Sequence, residues 1–355
     1  MSESDNTING YVEELKKKAE PSKTRSKAPL IILLIILILG ILAGGTFYLW
    51  YYNLWFFDDN SFNANVVNEP VKSQDEEKYY DFIAFQIKTG KVDIEEVSEF
   101  FPQDESKIIR RRAGIVDFSD PNLEAIIRAE IGKETGLIFE EDINKITFLS
   151  ASNKNLTNLD GIQFMTGLTE LDLSGNKIAN LGPIKGLTKL TYLDLSSNHI
   201  VSLNEIASLT NLKTLNLNYN YISDVTPLSG LSSLETLTIG SNRIVDINGL
   251  SGLSSLSKLE MFDNQVVDIT AISTLTSLRE LNLSDNNIGD ISSLGYLTGL
   301  TSLDLSVNSI QDISSLASLS QLRAINLYDN LISDTSALNS LGDLISIKLE
   351  RNPIK

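Results

Sequence analysis

Cysteine is absent from the 355 residues. Disulfides, thiolate metal sites and cysteine nucleophiles are therefore excluded. Histidine occurs once, as His199, so a histidine-based triad or metal cluster has almost no material. Basic residues are outnumbered, 29 against 46, giving a net charge of −17. That balance argues against nucleic acid as a partner, since phosphates are gripped by lysine and arginine. Charge is missing altogether between Lys27 and Asp58.

That uncharged run reads Pro29-Leu-Ile-Ile-Leu-Leu-Ile-Ile-Leu-Ile-Leu-Gly40 and continues to Phe57. A bilayer needs about 20 apolar residues, so residues 29–57 are expected to form one transmembrane signal-anchor helix in contact with lipid. Lys16, Lys17, Lys18, Lys23, Arg25 and Lys27 precede it. The positive-inside rule then puts residues 1–28 in the cytoplasm as a short disordered tail and everything after Asp58 outside. Tyr48, Trp50, Tyr51, Tyr52, Trp55, Phe56 and Phe57 suit an outer aromatic belt. A cleaved signal peptide cut near Ala43-Gly-Gly45 is the competing reading. Its apolar region, ordinarily about 7–15 residues, would be too long here.

Residues 145–355 are one unit written repeatedly. Leu168-Thr-Glu-Leu-Asp-Leu-Ser-Gly-Asn176-Lys-Ile178 is followed by Leu190-Thr-Tyr-Leu-Asp-Leu-Ser-Ser-Asn198-His-Ile200. The asparagine returns at Asn176, Asn198, Asn220, Asn242, Asn264, Asn286, Asn308, Asn330 and Asn352, every step being 22 residues. Lys154 holds the same phase one step earlier. A fixed period of this length marks a solenoid, and L-x-x-L-x-L-x-x-N-x-I is the leucine-rich-repeat signature. Alternation in Leu-x-Leu predicts short strands stacked in parallel about 4.7–4.9 Å apart. No single unit can bury its apolar columns, so each coil must lean on its neighbours. The asparagines stand where the chain leaves the strand, and their amides can satisfy turn backbone groups.

Between anchor and repeats, residues 58–114 read as linker or stalk, with a small helical collar as an alternative. Residues 115–144 read as a cap. Asp120-Pro-Asn-Leu-Glu-Ala-Ile-Ile-Arg-Ala-Glu-Ile-Gly132 has an N-cap aspartate, proline at N1 and glycine past the end. Leu123, Ile126, Ile127 and Ile131 share a face. A second short helix is expected over Glu140 to Lys145. An amphipathic pair of this kind hides the apolar end of a first coil. The chain stops at Asn352-Pro-Ile-Lys355 in mid-repeat. The expectation is that further sequence follows, or else that a partner or self-association covers this end.

Ile115-Val-Asp-Phe-Ser-Asp-Pro-Asn-Leu-Glu-Ala-Ile-Ile-Arg, Phe139-Glu-Glu-Asp-Ile-Asn-Lys-Ile-Thr-Phe-Leu and the repeats with Ile-Ser-Asp-Val-Thr-Pro-Leu228 together resemble the internalin-like leucine-rich-repeat proteins of Gram-positive and related bacteria. The resemblance implies a helical cap, a gently curved solenoid, and protein binding through the concave strand face. Three features depart from it: no immunoglobulin-like domain after the repeats, no wall-sorting motif, and an N-terminal anchor. The repeats are also similar to those of a eukaryotic phosphatase-regulating family, against which the membrane segment argues. The expected fold is an α/β solenoid with a curved parallel sheet on the concave side and short helical turns on the convex side. A helical N-cap closes one end, and one transmembrane helix precedes the whole.

On the concave face the candidate partner-binding residues are Asp172, Tyr192, Asp194, Tyr219, Glu260, Phe262, Asp304 and Tyr328. Exposed aromatics on a rigid face are candidate hot spots, and the acidic bias favours a basic partner. A second column, Asp224, Asp246, Asp268, Asp290, Asp312 and Asp334, invites comparison with a calcium ladder. Calcium wants about 6–8 oxygens, and one carboxylate per coil supplies few. Each aspartate also precedes a short turn, where it is a favoured N-cap. No metal or other cofactor is expected. No nucleophile, base and orienting group come together, so the expected function is non-catalytic binding of a protein ligand outside the cell. The alternative is a sensory or regulatory subunit of a membrane complex.

Overall fold

The computed structural model describes residues 74–90, 93–95 and 103–354. They fall into two compact units divided between Ile115 and Val116. In the first, helices Gln74–Lys88 and Gln103–Arg112 pack against each other. Ile83, Ala84, Ile87 and Ile109 are buried there, and Arg112 pairs with Asp81. Within residues 58–114, read as linker or stalk or else a small helical collar, the described part from Gln74 is thus largely helical, because Ile83 and Ile87, one turn apart, have a face to bury. The tail expected over residues 1–28 and the anchor helix expected over 29–57 lie outside the described residues. Among those described, no helix is long and apolar enough to cross a membrane.

The second unit carries ten strands: β1 (Phe148–Ser150), β2 (Glu170–Asp172), β3 (Tyr192–Asp194), β4 (Thr214–Asn216), β5 (Thr236–Thr238), β6 (Lys258–Glu260), β7 (Glu280–Asn282), β8 (Ser302–Asp304), β9 (Ala324–Asn326) and β10 (Ser346–Lys348). They form one parallel sheet in chain order. The register never slips: Leu171 faces Leu193, Leu193 faces Leu215, and Leu215 faces Leu237. Each central residue is buried from β1 to β9, while Ile347 of β10 is 46% exposed. The return path of each coil includes a 3₁₀ turn of three or five residues, such as Gly182–Ile184 or Thr270–Thr274. Behind the sheet runs one continuous core, from Val116 and Leu123 in the cap to Leu338 and Leu341.

Asparagine joins the coils. The Asn198 Nδ2 donates to Leu173 O (2.9 Å) and Leu195 O (3.1 Å), and its Oδ1 accepts from Ile178 N (3.0 Å). One side chain thus serves its own coil and the one before. Asn176 does the same, reaching Ala151 O and accepting from Lys154 N and Leu156 N. Among the described residues no buried side-chain nitrogen or oxygen lacks a partner. The turn into this ladder is left-handed. Gly175, Ser197, Tyr219, Ser241, Asp263, Asp285, Val307, Asp329 and Arg351 all have φ between 52° and 67°. Glycine is at ease there and aspartate tolerates it, whereas a β-branched valine is strained.

The cap follows the expected design. Helix Pro121–Ile131 starts at Asp120 and ends at Gly132, φ 65°. Leu123 and Ile127 are buried, with Ile126 and Ile131 packed at the margin of the core. The second helix is shorter than expected, Glu140–Ile143, with Asn144 as its C-cap. Asp120 does more than cap. One carboxylate oxygen accepts from Asn122 N (3.0 Å), and the other from Thr157 N (2.8 Å), Thr157 Oγ1 (3.2 Å) and Asn158 N (3.3 Å). It pins the helix to the first coil. Burial pushes its pKa up, but these hydrogen bonds outweigh burial and hold it below the usual carboxylate value.

Three predictions follow from these contacts. Asn198→Ala orphans Ile178 N and two carbonyls and should cost roughly 1–3 kcal/mol in urea unfolding. Asn242, which is only half-buried, should cost less when replaced by alanine; equal costs would contradict the role of burial. Val307→Asn relieves a left-handed valine and should stabilise by about 1 kcal/mol, read as a raised Tm. For Asp120 the folded pKa is depressed, so its stabilisation is present above the unfolded value of about 3.9. It is lost as pH falls through the lower folded value. Asp120→Asn should therefore flatten the fall in Tm below about pH 4, and an unchanged acid slope would exclude this account.

Candidate binding face

Two residues of every strand from β1 to β9 point away from the core, on either side of the buried leucine or, in β9, isoleucine. The first column runs Phe148, Glu170, Tyr192, Thr214, Thr236, Lys258, Glu280 and on; the second runs Ser150, Asp172, Asp194, Asn216, Thr238, Glu260, Asn282, Asp304 and Asn326. The predicted candidates Asp172, Tyr192, Asp194, Glu260 and Asp304 all stand in these columns. Phe148, 53% exposed, belongs to the first column as well; its place in the degenerate first repeat hid it.

The aspartates are occupied by the fold itself. Oδ1 of Asp194 accepts from Ser196 N (2.8 Å) and Ser196 Oγ (2.6 Å), while Asn216 Nδ2 donates to Oδ2 (2.9 Å). Asp304 repeats this with Ser306 and Asn326. Asp172 binds Ser174 in the same way. These carboxylates hold the chain as it leaves the strand, and what they offer a partner is what remains of the second oxygen. Glu260 is bridged to Lys258 at 2.9 Å, and Lys258 reaches on to Glu280 at 3.3 Å. Those carboxylates raise the Lys258 pKa, the Glu260 hydrogen bond most of all. Burial, then the charges of Asp194 and Asp172, push the Tyr192 hydroxyl up.

The remaining aromatics gather beside the strands, one to two residues beyond the second leucine. Tyr219, 56% exposed, lies in the left-handed turn itself, three residues past the end of β4. Its ring meets that of Phe262 edge-on, centroids 6.1 Å apart. The two come from coils that are not neighbours, and Gly240 lies between them. A side chain on Gly240 would collide with the Phe262 ring. Tyr328 lies under the Arg351 guanidinium at 5.2 Å. Near this row stand Asp263 and Asp285, both exposed, which the strand-based reading passed over because they belong to the turn.

On the other edge of the ladder, His199 and Tyr221 lie 6.0 Å apart and Arg243 covers Tyr221 at 4.8 Å. The second aspartate column accepts backbone hydrogens: Asp224 from Thr226 N, Asp246 from Asn248 N, and Asp268 from Thr270 N, each at 2.8 Å. Asp290, Asp312 and Asp334 do likewise. Each bonds two residues on, so the cap position falls on the residue after it, Val225 for example, and the turn itself begins at Thr226. Hydrogen bonds with Thr226 and Ser314 hold Asp224 and Asp312 below the usual carboxylate range. Among the described residues, no group of three His, Cys, Asp or Glu side chains is placed to share a metal ion. A shallow cleft of about 450 Å³ opens beside the cap, lined by Lys133, Asp142, Lys145 and Phe148.

In-register strands, an asparagine ladder and 3₁₀ returns define a leucine-rich-repeat protein. The family profile described as Leucine Rich repeats (2 copies) matches residues 166–208, 188–230, 210–254, 254–296, 276–318 and 298–340. No curated protein matches the chain. Among solved structures, internalin C2 of Listeria monocytogenes is 39% identical with a TM-score of 0.56, over 61% of this chain and 94% of that one. A leucine-rich-repeat protein of Leptospira interrogans is 28% identical with a TM-score of 0.59, over 61% of this chain and 57% of that one. The ectodomain of the Arabidopsis thaliana receptor kinase GASSHO1/SCHENGEN3, in complex with Casparian strip integrity factor 2, is 28% identical with a TM-score of 0.54, over 60% of this chain and 28% of that one. The chain belongs to the internalin-like leucine-rich-repeat proteins. Leucine-rich-repeat domains are in general protein-interaction modules.

Proposed function

We propose that the solenoid binds another protein through its concave strand face and is displayed outside the cell by an anchor at residues 29–57. The observation that carries the binding reading is the aromatic row of exposed Tyr219 and half-buried Phe262 and Tyr328 beside a sheet whose register never slips. Aromatics present a large area at small entropic cost, and a face already in place owes little ordering on association. The plant ectodomain above, in complex with Casparian strip integrity factor 2, is a precedent for ligand binding by this fold. The anchor reading rests on the uncharged run and the six basic residues before it.

Two measurements test the two halves. Protease shaving of intact cells should remove the repeats and spare a tag at the N-terminus; protected repeats would overturn the display reading. Ligand capture should be compared between the full chain and a Tyr192→Ala, Tyr219→Ala, Phe262→Ala, Tyr328→Ala variant of unchanged Tm. A protein retained by the first and lost by the second supports the face. Equal capture by both would sink it.

A further inference from the structure

The repeat places chemically equivalent positions 22 residues apart, so one coil can be read against another. In the coil of β9 an aromatic and an aspartate follow the strand in sequence: Tyr328 and Asp329. The next coil supplies Arg351. Its guanidinium lies 5.2 Å from the Tyr328 ring centroid and 3.5 Å from Asp329 Oδ2. The chain thus builds a seat for a guanidinium and fills it from within.

Three coils earlier the same two positions hold Phe262 and Asp263. There the position equivalent to Arg351 is Asp285. Among the described residues no lysine or arginine pairs with Asp263 or Asp285. The seat is enlarged rather than dismantled. Tyr219 adds a second ring against Phe262, Gly240 leaves space for the Phe262 ring, and Ser241 Oγ donates to Asp263 Oδ2 at 2.7 Å. Two aromatic rings meeting edge-on and the Asp263 carboxylate are gathered here, with Asp285 at the position that Arg351 takes in the later coil, and among the described residues no cation fills the place.

We propose that this seat takes an arginine side chain from a protein partner, so that the ligand of the concave face presents a basic segment at the Phe262 coil. The inference rests on the binding reading above and specifies its chemistry. Aromatic rings attract the planar cation by its face, and the carboxylates accept its N–H groups in a fork that lysine does not match.

The test uses the full chain and a short photo-crosslinking peptide with one central arginine, compared with the same peptide carrying neutral citrulline. Labelling should fall on tryptic fragments 214–243 and 259–279, which contain Tyr219 and Phe262. It should be roughly fivefold or more weaker with citrulline. Phe262→Ala, which leaves the charge unchanged, should remove it, separating the seat from general attraction to an acidic protein. Asp285→Arg should close the seat from within, as Arg351 does, and abolish labelling with the fold retained; Arg351 shows that arginine accepts this backbone position, φ 60°. Equal labelling by citrulline, or labelling that survives Asp285→Arg, would overturn the proposal. If the seat fails while the four-aromatic variant still loses its captured protein, the face stands and only the arginine is wrong.

Discussion

The structure depends on one polar joint repeated along its axis, the asparagine amide that bonds both its own coil and the one before. An apolar rod by itself does not fix how far one coil turns or slides against the next. The amide does, because Oδ1 must meet an N–H 20 residues earlier while Nδ2 meets a carbonyl 25 residues earlier. Both groups are buried at Asn198, 3% exposed, where an unmade bond is costly. The leucines supply the driving force, and the asparagines turn it into a single register.

That division of labour frees the surface. Once the buried columns hold the coil, the flanking columns can vary: lysine at one strand, threonine, glutamate or tyrosine at another. The freedom is not complete. Asp194, Asn216, Asp304 and Asn326 bond the chain leaving their own strand and, in pairs, the neighbouring strand. A column that looks like a recognition surface is partly a second seam. The more variable ground is the left-handed turn and the residue before it, where glycine, aspartate, valine, phenylalanine and tyrosine all occur.

Legibility in the sequence followed the same line. The period, the strands, the asparagine ladder and the cap at Asp120 could be read because each is enforced by burial or hydrogen bonding at every coil. The helix starting at Gln74 was harder, since a single buried face is a weak pattern in a mixed stretch. The pairing of Tyr219 with Phe262 could not be read at all. The residues are 43 apart, belong to non-adjacent coils, and meet only because Gly240 is small. Asp263 is not legible as a site residue because it lies in the turn beyond the strand, a turn whose left-handed φ nonetheless recurs from coil to coil. The aspartates ahead of the 3₁₀ turns were recognised as caps, though placed one residue off, because a bond to the second residue on looks the same in sequence.

The unbroken 22-residue step also makes the chain divisible. A block of one period removed or duplicated anywhere between β2 and β9 joins like to like, since each cut end meets the columns it left. Such an event shifts everything beyond it by one strand spacing, about 4.8 Å, and turns it by one coil. The distance between two features on the face, such as the Phe262 and Tyr328 rings, is therefore a whole number of coils. Recombination within the gene can lengthen or shorten this ruler by single graduations without passing through an unfolded intermediate design.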